Sequence, residues 1–478
     1  MTPKCHQFIS VVCCLFLAGC LSAPKNRHDS LPFELPSSYR NANQLGEDSP
    51  FWLQSFDDPT LTSLINEALD HNYNLQAAAS RLEIAHSNLG IATGALLPNI
   101  DARFRASRVQ RNASQGFRLL SNINNNFQPD FAAAWELDLW GKIRNRRRSA
   151  FADLQVSEAD YRGATLSLAA NTLQSWFNLT ESELQVRLSE RTVSSFENNQ
   201  SIVQDGYNRG VYRALDVHLV RANVLSAKSN LDANRARRDA TARALEVILG
   251  RYPGNEIEAA TVLPTLPSPI PAGLPSDLLR RRPDIVAAER NLAGAHEDTL
   301  AAAKELLPTI SLSVSGGRGS SELGDLLDPD RNIWNLAGNV TQPLFRGGRL
   351  RSAWKLTQAS EQAALANFAN ITLQALREVE SLLAESVFLE EQEASLNQAA
   401  EESKLAENLA WEEYQKGLRD ITTVLDSQRR SFNAQSTFIR IQNLRLQNRI
   451  NLHLAMGGDF LPPATTPSSG SDHTLATE

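Results

Sequence analysis

Two long stretches without proline constrain the fold of this chain more than any other feature. The first covers 123 residues, from 130 to 252, and the second covers 118 residues, from 344 to 461. A proline inside a helix costs about 3 kcal/mol, and both stretches are rich in Ala, Leu, Glu, Gln and Arg, which favour helix. The two stretches therefore predict very long helices.

The two stretches belong to a repeated pattern. Four short segments recur in order: LLPNI at 96–100 and LLPTI at 306–310, LWGKIR at 139–144 and LFRGGR at 344–349, NRG at 208–210 and QKG at 415–417, ILG at 248–250 and AMG at 455–457. The offset between copies is about 207 residues, which indicates one unit duplicated in tandem.

This repeat predicts how the 478 residues are organised. Each copy is expected to contain a short helix, two strands, a long helix and a return helix. The predicted segments are a lipoprotein signal peptide at 1–19, a lipidated tether at 20–50, a first repeat at 51–250, a proline-rich linker at 251–277, a second repeat at 278–461 and a disordered tail at 462–478.

All four cysteines lie in the first twenty residues, at positions 5, 13, 14 and 20. An apolar segment from Ile9 to Ala18 is too short to span a bilayer and precedes Leu17-Ala18-Gly19-Cys20, which resembles a bacterial lipoprotein cleavage box. The alternative is an ordinary secretory signal that happens to contain a cysteine. We expect Cys20 to be lipidated, and Leu21 after it favours the outer membrane.

Strict alternation of polar and apolar residues predicts four strands of about 9–11 residues, two in each copy. The first strand of each copy follows a Leu-Pro pair, and a polar loop from about 111 to 129 is expected between the first two strands. Polar residues assigned to one face, the expected lumen, are Asp101, Arg103, Arg105, Glu136 and Asp138; Phe104, Trp135 and Leu137 are assigned to lipid. A soluble sheet with one solvated face is the alternative, but the predicted export favours transmembrane strands.

The long helix of the first copy is expected from about 142 to 204, with its return helix at about 214–249. Glycines at the turn between them, and Gly417 in the second copy, mark the two tips. At 1.5 Å per residue, the long helix is about 95 Å long. The two shorter helices of the copy, laid end to end, have nearly the same total length. Each copy is therefore expected to form two parallel helical rows of one rod.

No catalytic or cofactor-binding pattern is present in the sequence. HExxH, GxxxxGK[ST] and GxSxG motifs and paired cysteines are absent, and the histidines are scattered. A net charge of −7 argues against a nucleic-acid partner. These observations predict a protein that is not an enzyme and that uses no metal and no cofactor.

Five motifs resemble the outer membrane efflux proteins, the TolC-like family, in the lipoprotein branch that serves resistance-nodulation-division pumps. They are FDDP at 56–59, WELDLWG at 135–141, LRRRPDI at 279–285, LFRGGR at 344–349 and VLDSQR at 424–429. The resemblance implies a mixed α and β membrane protein: a homotrimer whose twelve strands form one β-barrel, continued by a long α-helical barrel.

The resemblance also implies a function and partners. The trimer would form a passive channel from an inner-membrane pump of the resistance-nodulation-division class, through a periplasmic adaptor (membrane fusion) protein, across the outer membrane lipid. Residues matching the family's periplasmic aperture are Arg419 and Asp426, whose partners are expected on neighbouring helices; simple solvation of both is the alternative. Thr423 and Ile421 depart from the family, where an acidic and an aromatic residue are frequent.

Two other functions are compatible with parts of the sequence. The same fold could form the exit duct of a protein-secretion system, which the lipoprotein motif disfavours. A periplasmic coiled-coil scaffold without a pore would require the four alternating strands to be soluble.

Overall fold

The computed structural model describes residues 31–36, 38–40, 59–115, 118–266 and 275–458. The predicted signal peptide, Cys20, most of the tether and the tail at 462–478 lie outside these residues, as do 267–274 of the linker. The elements in chain order are α1 Pro59–His71, α2 Tyr73–Gly94, β1 Asn99–Gln115, β2 Arg118–Leu137, α3 Lys142–Asn208, α4 Ala214–Ile248, α5 Leu278–Arg281, α6 Pro283–Lys304, β3 Thr309–Arg318, β4 Asn332–Thr341, α7 Arg349–Gln415 and α8 Ile421–Ala455.

Three helices of each copy repeat with the same lengths. The helix before the strands has 22 residues in α2 and in α6. The long helix has 67 residues in α3 and in α7, and the return helix has 35 residues in α4 and in α8. The predicted duplication of helix, two strands, long helix and return helix is therefore confirmed.

The predicted loop between the first two strands is wrong. β1 has 17 residues and β2 has 20, so all of the described residues within 111–129 are strand. β3 and β4 have 10 residues each, as expected. The asparagines in this segment suggested a loop, but Asn122, Asn124 and Asn126 are paired across the ladder with Arg111, Val109 and Ser107. Backbone pairing in the long hairpin thus overrides their low strand propensity.

The four strands form one antiparallel sheet in the order β1-β2-β3-β4. β2 therefore joins the two copies, with Leu137 opposite Ile310 and Ala133 opposite Val314. Each outer strand, β1 and β4, pairs on one side only within the described chain. An open edge presents unpaired N–H and C=O groups, which suit it to pair with another strand.

The chain divides into two compact units, each built from both copies. Of the residues that the structure describes, one unit holds those within 81–158 and 287–370, which include the sheet, and the other holds those within 33–80, 159–286 and 371–458. The second unit has a large apolar core in which Leu61, Leu173, Phe177 and Leu245 are almost fully buried. Among the described residues, no helix is both long enough and apolar enough to cross a bilayer.

Candidate functional site

The strand register separates the sheet into a polar and an apolar face. Residues directly opposite in an antiparallel ladder lie on the same face. Asp101 is opposite Ala132, which is opposite Ser315, and Ser315 is opposite Asn335. This row of small and polar residues continues across all four strands. The polar face is where a water-filled lumen would lie.

Three of the predicted lumenal residues lie on this face of β1. Asp101, Arg103 and Arg105 alternate along the strand, and all three are exposed in the chain. Arg103 Nη2 donates to Asp101 Oδ2 over 2.8 Å. Sequence reasoning missed Asp130, which is opposite Arg103 and only 8% exposed. That these residues face a lumen stays a prediction.

The two predicted lumenal acids of β2 have different environments. Glu136 is on the strand, opposite Ser311, and accepts a 2.5 Å bond from Lys142 Nζ. Asp138 comes after the strand, which ends at Leu137, and its side chain is only 10% exposed. Its carboxylate accepts bonds of 2.9 Å from the backbone N–H groups of Ile143 and Arg144. Asp138 is therefore a cap for the start of α3, a role that the sequence reasoning missed.

The apolar face of the sheet is also continuous. Leu137, Ile310 and Val340 form one row across β2, β3 and β4. Phe104 and Trp334 are exposed on the same face. Trp135 is partly buried, and its Nε1 donates to the Leu96 carbonyl over 2.9 Å. Lipid contact by Phe104, Trp135 and Leu137 stays a prediction.

The second candidate region is the pair of helix turns at the tip of the second unit. α3 ends at Asn208 before Gly210, and α7 ends at Gln415 before Gly417. Both glycines have positive φ, 78° and 75°, which side chains with a Cβ rarely adopt. Both turns then lead at once into return helices, so the tip consists of two equivalent turns.

The two turns pack against each other through a shared apolar cluster. Val203, Val217, Val220, Tyr414, Ile421 and Val424 are among its buried members. The rings of Tyr212 and Tyr414 stack with centroids 5.0 Å apart and an angle of 15°. Burial raises the pKa of the Tyr414 hydroxyl, and nearby Asp216 adds to this effect. Ile421, which departs from the family's aromatic residue, is thus a core residue of this cluster.

The structure places Arg419 and Asp426 in separate ion pairs. Arg419 Nε is 2.9 Å from Glu413 Oε2, at the end of the preceding helix. Asp426 forms two ion pairs within its own helix α8. Arg429 Nη2 is 2.6 Å from Asp426 Oδ1, and Arg430 Nε is 2.8 Å from Asp426 Oδ2. The expectation that both residues take partners from neighbouring helices is therefore wrong for Asp426. Spacings of i,i+3 and i,i+4 place side chains on one helix face, so the sequence did contain this signal.

The charges around Asp426 leave this part of the tip positive. Hydrogen bonds from Arg430 and Arg429 lower the pKa of the Asp426 carboxyl, so it is ionised near neutral pH. Two guanidinium groups face one carboxylate, and all three side chains are substantially exposed. A mouth lined by these three groups would carry a net positive charge.

A ladder of amide side chains joins the long helix of the first copy to the return helix of the second. Gln174 Nε2 donates to Asn451 Oδ1 over 2.7 Å, and Asn443 Nδ2 donates to Asn178 Oδ1 over 2.8 Å. Further along, Ser436 Oγ donates to Gln185 Oε1 over 2.8 Å. Because polar layers between packed helices specify their register, this ladder fixes how α3 and α8 align.

Metal-ligating side chains were the remaining candidates for a site in the described part of the chain. Within the ranges that the structure describes, no group of three or more His, Cys, Asp or Glu side chains is arranged to hold a metal ion. His296 is one of the scattered histidines. Its Nδ1 lies 2.7 Å from Glu361 Oε1, and this contact joins α6 to α7.

Known proteins match this chain over most of its length. It is 29% identical over 422 residues to the pyoverdine export outer membrane protein OpmQ of Pseudomonas putida, covering 87% of this chain and 89% of OpmQ. It is 27% identical over 454 residues to the solvent efflux pump outer membrane protein SrpC of Pseudomonas putida, and the match covers 93% of this chain and 97% of SrpC. The solved outer-membrane channel OprN matches with a TM-score of 0.84 and 25% identity, covering 93% of this chain and all of that one.

The family model for outer membrane efflux proteins matches the chain twice, over residues 64–251 and 274–458. These two matches coincide with the two copies of the duplicated unit. Solved structures with the same fold include the outer-membrane channels OprN and MtrE, the latter of Neisseria gonorrhoeae. The chain belongs to the outer membrane efflux protein family.

Proposed function

We propose that this protein is the outer membrane channel of a tripartite efflux system. In this proposal, three copies assemble into one pore that passively conducts small toxic molecules or drugs to the outside. An inner-membrane pump of the resistance-nodulation-division class supplies the molecules through a periplasmic adaptor protein. The family consists of channels rather than enzymes, and no covalent step is included.

The observation that carries the proposal is the four-stranded sheet with two different faces and two open edges. One face is a row of polar and small residues, and the other is apolar and exposed. Open edges are not tolerated in lipid, because each unpaired backbone group costs several kcal/mol there. Pairing β4 of one copy with β1 of the next would close a twelve-stranded barrel in a homotrimer.

The length of the two long helices supports an extended conduit. At 1.5 Å per residue, each 67-residue helix is about 100 Å long. The tip turns, where both long helices end, offer a docking surface for the adaptor. The predicted lipid on Cys20 would add an anchor in the outer membrane, and this anchoring is part of the proposal.

Planar bilayer recordings and a deletion strain together test this function. Purified trimers should produce single-channel steps, and deletion of the gene should sensitise cells to a panel of toxic compounds. A plasmid copy should restore resistance. Loss of an exported protein without any change in sensitivity would favour the secretion-duct alternative. A monomeric or water-soluble chain without conductance would overturn the channel proposal.

A further inference from the structure

The end of the segment that joins the last strand to the second long helix, together with the first two turns of that helix, is strongly basic and exposed. Residues 344–355 contain four cations and no acidic residue. The cations are Arg346, Arg349, Arg351 and Lys355, and all four are exposed. Their side chains form no ion pair and no hydrogen bond with any described residue. We call these four residues the basic collar.

Comparison with the first copy shows that this free charge is specific to the second copy. In the first copy, the equivalent helix start is also basic, but Lys142 pairs with Glu136 and Arg144 pairs with Asp138. Arg146 also forms an ion pair, with Glu305. With the local repeat offset, the positions of Glu136 and Asp138 correspond to Thr341 and Pro343.

The second copy has therefore lost both acidic partners. Unpaired cations at a surface are available to an anionic ligand. This comparison distinguishes the basic collar from the paired residues at the start of α3.

Apolar side chains lie immediately beside the basic collar. Leu344 is 92% exposed and Phe345 is 88% exposed, although aliphatic and aromatic side chains gain from burial. They continue the exposed apolar residues of β4, which ends at Thr341. Aromatic residues beside Lys and Arg are typical of the boundary between lipid tails and head groups. A free phosphate ion would use the cations but not Leu344 and Phe345.

The spacing of the basic collar fits a head-group layer. The backbone N–H of Arg349 donates to the Arg346 carbonyl over 3.1 Å, which brings these residues into one turn. Arg351 and Lys355 are four residues apart in α7 and share a helix face. The helical rise from Arg349 to Lys355 is about 9 Å. The polar region on one side of a bilayer is about 5–8 Å thick.

We propose that the basic collar, with Leu344 and Phe345, binds the phosphate group and upper acyl chain of an anionic phospholipid in the periplasmic leaflet of the outer membrane. This inference rests on the proposed function, because it requires the strands to be inserted in lipid. Each cation near an anionic lipid surface contributes about 1 kcal/mol, a fivefold change in affinity. Removing three cations should therefore weaken binding by about 100-fold.

The test uses delipidated full-length trimers in a neutral detergent, titrated with phosphatidylglycerol and followed by native mass spectrometry. The variant Arg346→Gln/Arg349→Gln/Arg351→Gln should bind at least tenfold more weakly than the wild type. Arg349→Lys/Arg351→Lys keeps the charges and should bind like the wild type. The control Arg191→Gln/Arg221→Gln/Arg237→Gln removes three exposed cations elsewhere and should not change binding. The single variant Arg346→Gln serves if the triple variant does not assemble.

Two further arms identify the ligand. Phosphatidylcholine with the same acyl chains should bind weakly to the wild type, and inorganic phosphate at equal concentration should not displace phosphatidylglycerol. Equal binding of phosphatidylglycerol by the wild type and the triple variant would overturn the proposal, as would displacement by inorganic phosphate. Conductance in phosphatidylcholine bilayers is measured in parallel. Normal conductance together with a lipid-binding result that overturns the proposal would rule out the lipid site and leave the channel function intact.

Discussion

Arg213 and Asp420 meet at the tip, with Arg213 Nη2 3.5 Å from Asp420 Oδ1. The two residues are 207 positions apart and hold the same place in the two copies, immediately before the return helices α4 and α8. This repeated position is Arg in the first copy and Asp in the second, so the two side chains carry opposite charges. The pair links the two turns of one chain, so in the proposed channel it would oppose their separation.

We predict that Arg213→Ala and Asp420→Ala each raise single-channel conductance in planar bilayers at low salt. Both side chains are well exposed, and such pairs contribute only about 0–1 kcal/mol, so the increase should be modest. Because salt screens exposed charges, the difference from the wild type should shrink at about 1 M salt, where the Debye length is about 3 Å.

The exchanged variant Arg213→Asp/Asp420→Arg should recover wild-type conductance. Lys228→Ala removes an exposed ion pair with Glu197, at 2.7 Å, and is the matched control. An exchanged variant that conducts like the single variants would show that the attraction between the two residues has no part in closing the tip.

Asp426 supports a second prediction, which concerns pH. The free energy contributed by its ionised form is fully present above the unfolded pKa of about 3.9 and is lost as pH falls through the lower folded pKa. Asp426 should therefore stay ionised between pH 5 and pH 8, and its protonation should cause no change of wild-type conductance with pH in that range. Asp426→Asn should raise conductance throughout that range and shift selectivity toward anions, because Arg429 and Arg430 lose their partner.

Reversal potentials in a salt gradient measure the predicted selectivity. Arg419→Ala, which removes the pair with Glu413, should raise conductance without the shift toward anions. If Asp426→Asn leaves both conductance and selectivity unchanged, the constriction lies elsewhere and Asp426 is an ordinary surface charge.

The sequence predicted the fold because long-range periodicity is strong in this chain. Absence of proline marked both 67-residue helices, and repeated short motifs revealed the duplication. The length of the first hairpin was not predictable in the same way. Asparagines favour loops locally, but backbone pairing between β1 and β2 makes this segment a strand. Asp138 shows a similar limit. Alternation along the strand predicts that its side chain faces the lumen, whereas the structure places its carboxylate at the start of α3. The sequence pattern alone does not distinguish these two roles.

The cap at the start of α3 gives a stability prediction. Asp138→Ala removes a carboxylate that accepts hydrogen bonds from two backbone N–H groups, and loss of a helix cap costs about 0.5–2 kcal/mol. The variant should unfold at a lower temperature, as measured by circular dichroism. Asp138→Asn can still accept from one N–H group and should lose less. Glu136→Gln, which alters only a side-chain pair, is the control.

An Asp138→Ala trimer as stable as the wild type would contradict the capping role. A change in conductance without a change in stability would instead favour the lumenal assignment made from the sequence. The two readouts therefore separate the two roles of this residue.

We predict that Cys20 is the lipidated first residue of the mature protein. Cys20→Ala should leave an unlipidated chain that still forms trimers, because strand pairing, not the anchor, closes the proposed barrel. Mass spectrometry of the mature N-terminus measures the modification, and crosslinking measures the assembly. Cleavage at another position, with Cys20 removed or unmodified, would show that the lipoprotein assignment is wrong.

The two faces of the sheet give the final prediction. Leu336 and Ala337 are the central residues of the 10-residue strand β4 and point to opposite faces. Leu336 is opposite Val314 on the apolar face, and Ala337 is opposite Ser313 on the polar face. An arginine facing lipid at mid-bilayer costs about 2–4 kcal/mol, so Leu336→Arg should reduce trimer yield in the outer membrane.

Ala337→Arg adds the same charge one residue further along, where we expect water. This variant should assemble normally and change only conductance and ion selectivity. Leu137→Arg should be milder than Leu336→Arg, because Leu137 is the last residue of β2 and the cost falls to about 0–1 kcal/mol near the interface. Heat-modifiable migration in gels reports the trimer. Equal loss of assembly for Leu336→Arg and Ala337→Arg would contradict the assignment, because a strand pleat cannot expose neighbouring side chains to the same environment.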